Sequence, residues 1–151
     1  MSQNTNPIFT LVPNVGNAVW TSAATANTKS DGTGTIGTDM KIVFTAGVNG
    51  SFVQKIRACP TAIVAATATT PTVLRVYFSI VGAGTSSNSQ SFQIAEMALP
   101  AQTADQTATA TTPVEIPLGM AMESGSFIHV SMHHAAAANT AWQFSAFGGD
   151  Y

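Results

Sequence analysis

Residues 72–80 read TVLRVYFSI, and this stretch constrains the fold more than any other. Leu74, Val76, Phe78 and Ile80 fall on one face of an extended chain, and Val73, Arg75, Tyr77 and Ser79 on the other. Alternation with a period of two, in β-branched and aromatic residues, marks a half-buried strand. One face is apolar and the other mixed. The strand therefore belongs in an antiparallel sheet whose second face is wet or meets a partner.

Other strands follow from the same reasoning. Residues 8–12 and 18–21 read as short strands separated by Pro13-Asn14 and Gly16-Asn17 turn signals. Residues 1–7 form a polar arm, with Trp20 anchoring residues 1–21 onto the body. Residues 22–38, mostly Ala, Thr, Asn, Ser and Gly, read as a long loop. Residues 39–46 form a strand with Met40, Ile42 and Phe44 facing inward. Asn49-Gly50 joins it to residues 52–59, and Asn-Gly between two strand-like runs predicts a type I′ hairpin. A weak strand is expected at 62–65, and a full one at 91–99 with its register open. Residues 114–120 alternate, but Pro117 places that strand at an edge or a bulge. Residues 127–133 put Ile128, Val130 and Met132 inside. Residues 135–138 allow one helical turn, too short to stand alone. Residues 142–147 form the last strand before a flexible GGDY tail. Eight or nine strands and almost no helix describe one all-β domain over 1–151, an antiparallel β-sandwich, jelly-roll-like rather than immunoglobulin-like.

Charged residues make up 8% of the chain, against about 25% in ordinary domains. Apolar residues make up 45%, so the low charge does not imply disorder. The surface is covered by Thr, Ser, Asn, Gln and Ala, which suits a protein packed against copies of itself or a larger assembly. With a net charge of −2 and no basic patch, nucleic acid is excluded as a partner. No run approaches the ~20 apolar residues of a membrane helix. The opening MSQNTNPIF has neither a basic region nor a long apolar run, so no signal peptide is expected and the chain is made in a cytoplasm.

No stretch names a chemistry. The lone Cys59 reads as a semi-buried structural thiol. His129 and His133 share a strand face about 13 Å apart, too far to hold one zinc. With His134, they read as surface or interface histidines, and metal remains open only between subunits. The Gly-rich run 31–37 lacks the Lys and following helix of a phosphate loop. Glu96 and Glu115 could meet as an acid/base pair, but partnership with Lys41, Lys55, Arg57 or Arg75 is expected instead. Arg57 and Arg75 project on the parity opposite to the core, as a polar face or an assembly contact. Phe9, Trp20, Trp142 and Tyr151 are the candidate anchors at an interface, because aromatics dominate such contacts; core packing is the other reading of each. No catalytic, cofactor or metal residue is assigned.

The loops TSAATANTKSDGTGTIGTD and PAQTADQTATATTP, the segment IPLGMAMESGSFIHVSMHHAAAANTAW and the GGDY end resemble small virion structural proteins of tailed bacteriophages, in particular capsid decoration (cement) proteins of jelly-roll type. The likeness covers roughly half the chain and is one of composition and strand pattern. It implies a non-enzymatic homotrimer on the virion exterior, clamping neighbouring copies of the major capsid protein. The alternative is a carbohydrate- or receptor-binding sandwich of a phage tail, which requires exposed aromatics clustered on one face.

Overall fold

The structure, a computed structural model, describes residues 10–64, 67–105 and 110–151. Eight long strands carry the architecture: β1 (Val12–Thr21), β3 (Lys41–Thr45), β4 (Ser51–Ala62), β6 (Thr72–Ser79), β8 (Ser91–Leu99), β10 (Val114–Met122), β11 (Phe127–Met132) and β12 (Thr140–Asp150). Two-residue strands pair in the connections, β2 (Gly34–Thr35) with β7 (Thr85–Ser86), and β5 (Thr67–Ala68) with β9 (Thr103–Ala104). Among the described residues there is no helix, hence none long and apolar enough to cross a membrane.

The long strands form two antiparallel sheets, ordered β1-β12-β4-β10 and β3-β11-β6-β8. Numbered one to eight along the chain, they run 1-8-3-6 over 2-7-4-5. This is the topology of a jelly roll, two interlocked Greek keys folded into a sandwich. Leu74, Val76 and Phe78 point between the sheets as the alternation predicts, and they meet Met132, Val130 and Ile128 across the β6–β11 ladder. From the first sheet come Trp20, Val53, Ile56, Ala58, Ile116, Trp142, Phe144 and Ala146.

One flank is sealed more tightly than the other. On the β1/β3 side, a Cβ built on Gly16 would lie 1.9 Å from the Val43 carbonyl oxygen, so only glycine lets β1 come this close. That contact explains why β1 is one continuous strand rather than two short ones. Pro13 and Gly16 break no ladder, because β1 is an edge strand and pairs with β12 throughout its length. Ile8 and Phe9 lie outside the described residues, as do Ala65 of the weak strand and the rest of the arm.

The predicted Asn-Gly hairpin is a corner instead. β3 and β4 belong to different sheets, and of the two central residues only Gly50 has positive φ (89°). The Gly50 N–H closes the turn onto the Gly47 carbonyl at 3.0 Å. A turn signal fixes a local reversal of the chain, while burial of two apolar faces decides which strands pair.

Bulges account for the remaining register differences. One in the β11–β3 ladder, between Ile128 and His129, puts Phe44 opposite Ile128 and Ile42 opposite His129. Val43 and Phe44 thus enter the core, and Ile42 is only half-buried. Met40 is buried elsewhere, against Gly34. A second bulge, at Ile94, settles the open register of β8: Ala95, Met97 and Leu99 face the core. Pro117 lies at an edge and at a bulge, as expected. Residues 135–138 form no helical turn. The GGDY end is not a free tail: Gly148, Gly149 and Asp150 continue β12 opposite Val53, Phe52 and Ser51.

Candidate docking face

The outward faces of the two sheets differ in one respect that bears on function. That of the second sheet is covered by the chain itself over β11 and β6, while on β8 Gln93, Ile94 and Glu96 stay exposed. Arg75 donates to the carbonyls of Asn27 (3.3 Å) and Lys29 (3.2 Å), the Tyr77 hydroxyl donates to Lys29 (3.3 Å), and the Asn27 N–H bonds the Met132 carbonyl (2.9 Å). Gly32 and Gly34 let this segment lie flat: a Cβ on Gly32 would sit 2.1 Å from the Ser91 carbonyl oxygen, and one on Gly34 2.7 Å from Met40. The loop of residues 22–38 is therefore a cover. Beneath it Tyr77, His129, Ser131 and Ser79 are buried, and Ser79, Ser91 and Ser86 hydroxyls form a hydrogen-bonded chain. The second face of residues 72–80 is neither wet nor turned to a partner, because the chain closes it.

The first sheet's outward face is bare. Side chains repeat across it in rows set by the ladders: Val15–Phe147–Lys55–Pro117, Asn17–Ser145–Arg57–Glu115, and Val19–Gln143–Cys59. Val15 is 51% exposed, Val19 49% and Phe52 36%, with Leu11 just ahead of β1 at 81%. At the centre, Lys55 Nζ lies 2.9 Å from Glu115 Oε2, and Arg57 Nη2 lies 2.7 Å from Glu115 Oε1. Both cations also stand over the Phe147 ring, at 5.9 and 5.4 Å. Hydrogen bonds from Lys55 and then Arg57 hold the Glu115 carboxyl below its usual range. Exposed ion pairs add little stability. Their effect here is to hold three long side chains in one pattern on a flat, otherwise uncharged face.

The structure scatters the residues that the sequence suggested. Arg57 and Cys59 are on the bare face, half-exposed. Trp20 and Trp142 are fully buried and adjacent across β1 and β12, so as anchors they hold the core and not an interface. Arg75, also buried, holds the cover and pairs with Glu96 at 3.2 Å. His129 is 0% exposed under the cover; neither ring nitrogen has a hydrogen-bond partner, and burial pushes its pKa down to about 4. His133 lies at the end of β11 with its ring edge-on to His134 at 4.7 Å, beside a hollow of about 530 Å³ between Val73, Leu99 and Pro100. Tyr151 is half-buried at the corner, its N–H on the Gly50 carbonyl at 3.2 Å. Phe9 lies outside the described residues.

Glu96 and Glu115 do not meet, since they sit on the outward faces of opposite sheets. Among the described residues no three of His, Cys, Asp and Glu gather as a metal site. The exposed Phe52 and Phe92 lie on different sheets, so these aromatics form no single platform. The residues missed from sequence are Val15, Val19 and Phe147, whereas the pairing of Glu115 with Lys55 and Arg57, and of Glu96 with Arg75, is as expected. The spacing of Val53, Ile56 and Ala58, three and then two, marks the bulge in β4.

No protein-family model matches the chain, and no curated protein matches it. Among solved structures, one chain of the T13 IBDV viral particle is similar over 99% of this chain, with 12% identity and a TM-score of 0.33. The present chain spans 35% of that chain's length. A likeness at this level carries no argument about fold or function.

Proposed function

We propose that this chain is a non-enzymatic virion structural protein: a decoration (cement) protein on a phage capsid, acting as a homotrimer that docks on the major capsid protein. The observation that supports this reading is the inequality of the two outward faces. The chain spends about twenty residues and several hydrogen bonds covering β11 and β6 of one sheet, and leaves Val15, Val19, Leu11 and Phe52 exposed on the other. Adjoining exposed apolar groups around a fixed polar centre are the mark of a contact surface. Each copy's contact is modest, and tethering within an oligomer makes successive contacts intramolecular, so avidity multiplies.

The test is co-sedimentation with capsids assembled without this protein, alongside the native mass from light scattering. The wild type is expected to pellet with the particles and to have the mass of an oligomer, three chains on this reading. Val15→Asp combined with Val19→Asp places two carboxylates on the face at exposed positions, where folding tolerates them. Binding is expected to weaken about tenfold or more, from lost apolar burial and desolvated charge. A wild type that leaves capsids bare, or a double variant that binds equally well, would sink the proposal.

A further inference from the structure

We infer that residues 22–40 form an acid-releasable cover over the outward face of the second sheet, with His129 beneath it as the trigger. His129 projects from β11 on the covered face, between Tyr77 on β6 and Ile42 on β3. Phe127 flanks it on its own strand, with ring centroids 6.1 Å apart. It is fully buried, and both nitrogens lack partners. A neutral imidazole in such a place costs one or two lost hydrogen bonds, whereas an imidazolium there is an unpaired buried charge.

The surrounding groups do not offset this, since burial alone sets the shift. From β6 the nearest ionisable neighbours in register are Tyr77 and, two residues away, Arg75; from β3 it is Lys41, next to Ile42. The cover contributes Lys29, Asp31 and Asp39, and β8 contributes Glu96, already paired with Arg75. His133 follows further along β11's end. No carboxylate reaches the His129 ring as an acceptor.

The proton therefore favours the form in which the ring meets water. His129 is held near pKa 4 while buried, against an ordinary value of 6.5. As pH falls between these values the opened form binds a proton and the closed form does not, so the closed form loses stability across that window and keeps it above. Two ways of hydrating the ring exist. Pulling β11 from its two neighbours breaks the sandwich, whereas lifting the cover breaks the bonds of Asn27, Lys29 and Arg75 and the short β2–β7 pair, unburies Met40, and leaves both four-stranded sheets whole. Local opening takes the cheaper route.

Hydrogen exchange followed by mass spectrometry tests this, with rates corrected for the intrinsic effect of pH. From about pH 7 to about pH 4.5, protection of peptides spanning 22–40 is expected to fall at least about tenfold, while β4 and β12 keep theirs. His129→Phe, uncharged and close in size, is expected to abolish the pH response; His129→Gln serves if the phenyl variant fails to fold. The inference is overturned if the cover keeps its protection, if cover and core are lost together, or if the response survives in a variant. Should neither variant fold, the wild-type midpoint decides: between about 4 and 6.5 supports the trigger, and outside that window overturns it.

Discussion

Replacing Gly16 with alanine is expected to lower the melting temperature by about 10 °C. Gly16 lies where β1 crosses β3, and the new methyl would sit 1.9 Å from the Val43 carbonyl oxygen and 2.9 Å from the Phe44 Cα. Both obstacles are backbone, so no side-chain rotation relieves the contact. The strands must part by more than an ångström along the best-sealed flank. Overpacking of this kind costs typically 1–3 kcal/mol and occasionally more, and a rigid backbone clash puts the estimate at about 3 kcal/mol. For a chain of this size that corresponds to roughly 6–12 °C. Val15→Ala, one residue away and half-exposed, should change stability by less than about 0.5 kcal/mol. Thermal unfolding followed by circular dichroism measures both. A Gly16→Ala protein melting within two degrees of wild type, on the order of 0.5 kcal/mol, would show that the flank is looser than described.

The second large effect is at Trp142. It is fully buried, stands opposite the equally buried Trp20 across the β1–β12 ladder, and lies in the central part of the first sheet. Truncation to alanine removes the indole and leaves a cavity that its rigid strand neighbours cannot fill, costing about 3–5 kcal/mol. Neither indole N–H has a hydrogen-bond partner. The ring is thus held by packing alone, and Trp142→Phe forfeits area but no hydrogen bond. Urea unfolding should place Trp142→Phe at less than half the loss of Trp142→Ala. Equal losses would mean that the indole nitrogen contributes after all.

These two residues show what could be read from the sequence and what could not. Trp142 was a candidate for core or interface, and a strong alternating run around it made β12 legible without deciding between them. Gly16 looked like a strand breaker. Its reason for being glycine is a carbonyl that is its neighbour in space but twenty-seven positions further along the chain. The sandwich itself was legible because its inward positions repeat with period two in β6, β10 and β11. The cover was not, because Ala, Thr, Ser and Gly carry no periodicity. Gly32 and Gly34 read equally well as flexible loop residues or as the flat backbone that allows Asn27 and Met40 to be buried. Part of the bare face was hidden by the bulge in β4, which sets Val53 and Ile56 on the same inward side although their positions differ in parity. Asn49-Gly50 misled in a different way: the turn is there, but pairing is decided by which face each strand buries.

The place of β12 in the first sheet also sets the order in which the chain can mature. Of the eight long strands it is made last, yet it lies between β1, made first among them, and β4. β1 has no ladder partner in its own sheet until β12 arrives, and β3 likewise waits for β11. During synthesis β1 and β3 have no ladder partner in their own sheets while β4 to β10 are being made, and β1 stays unpaired until β12 has emerged. Closure of the first sheet is then a late step, slow for the size of the chain because most of its pairings are long-range, and exposed to association with other unfinished chains while it waits.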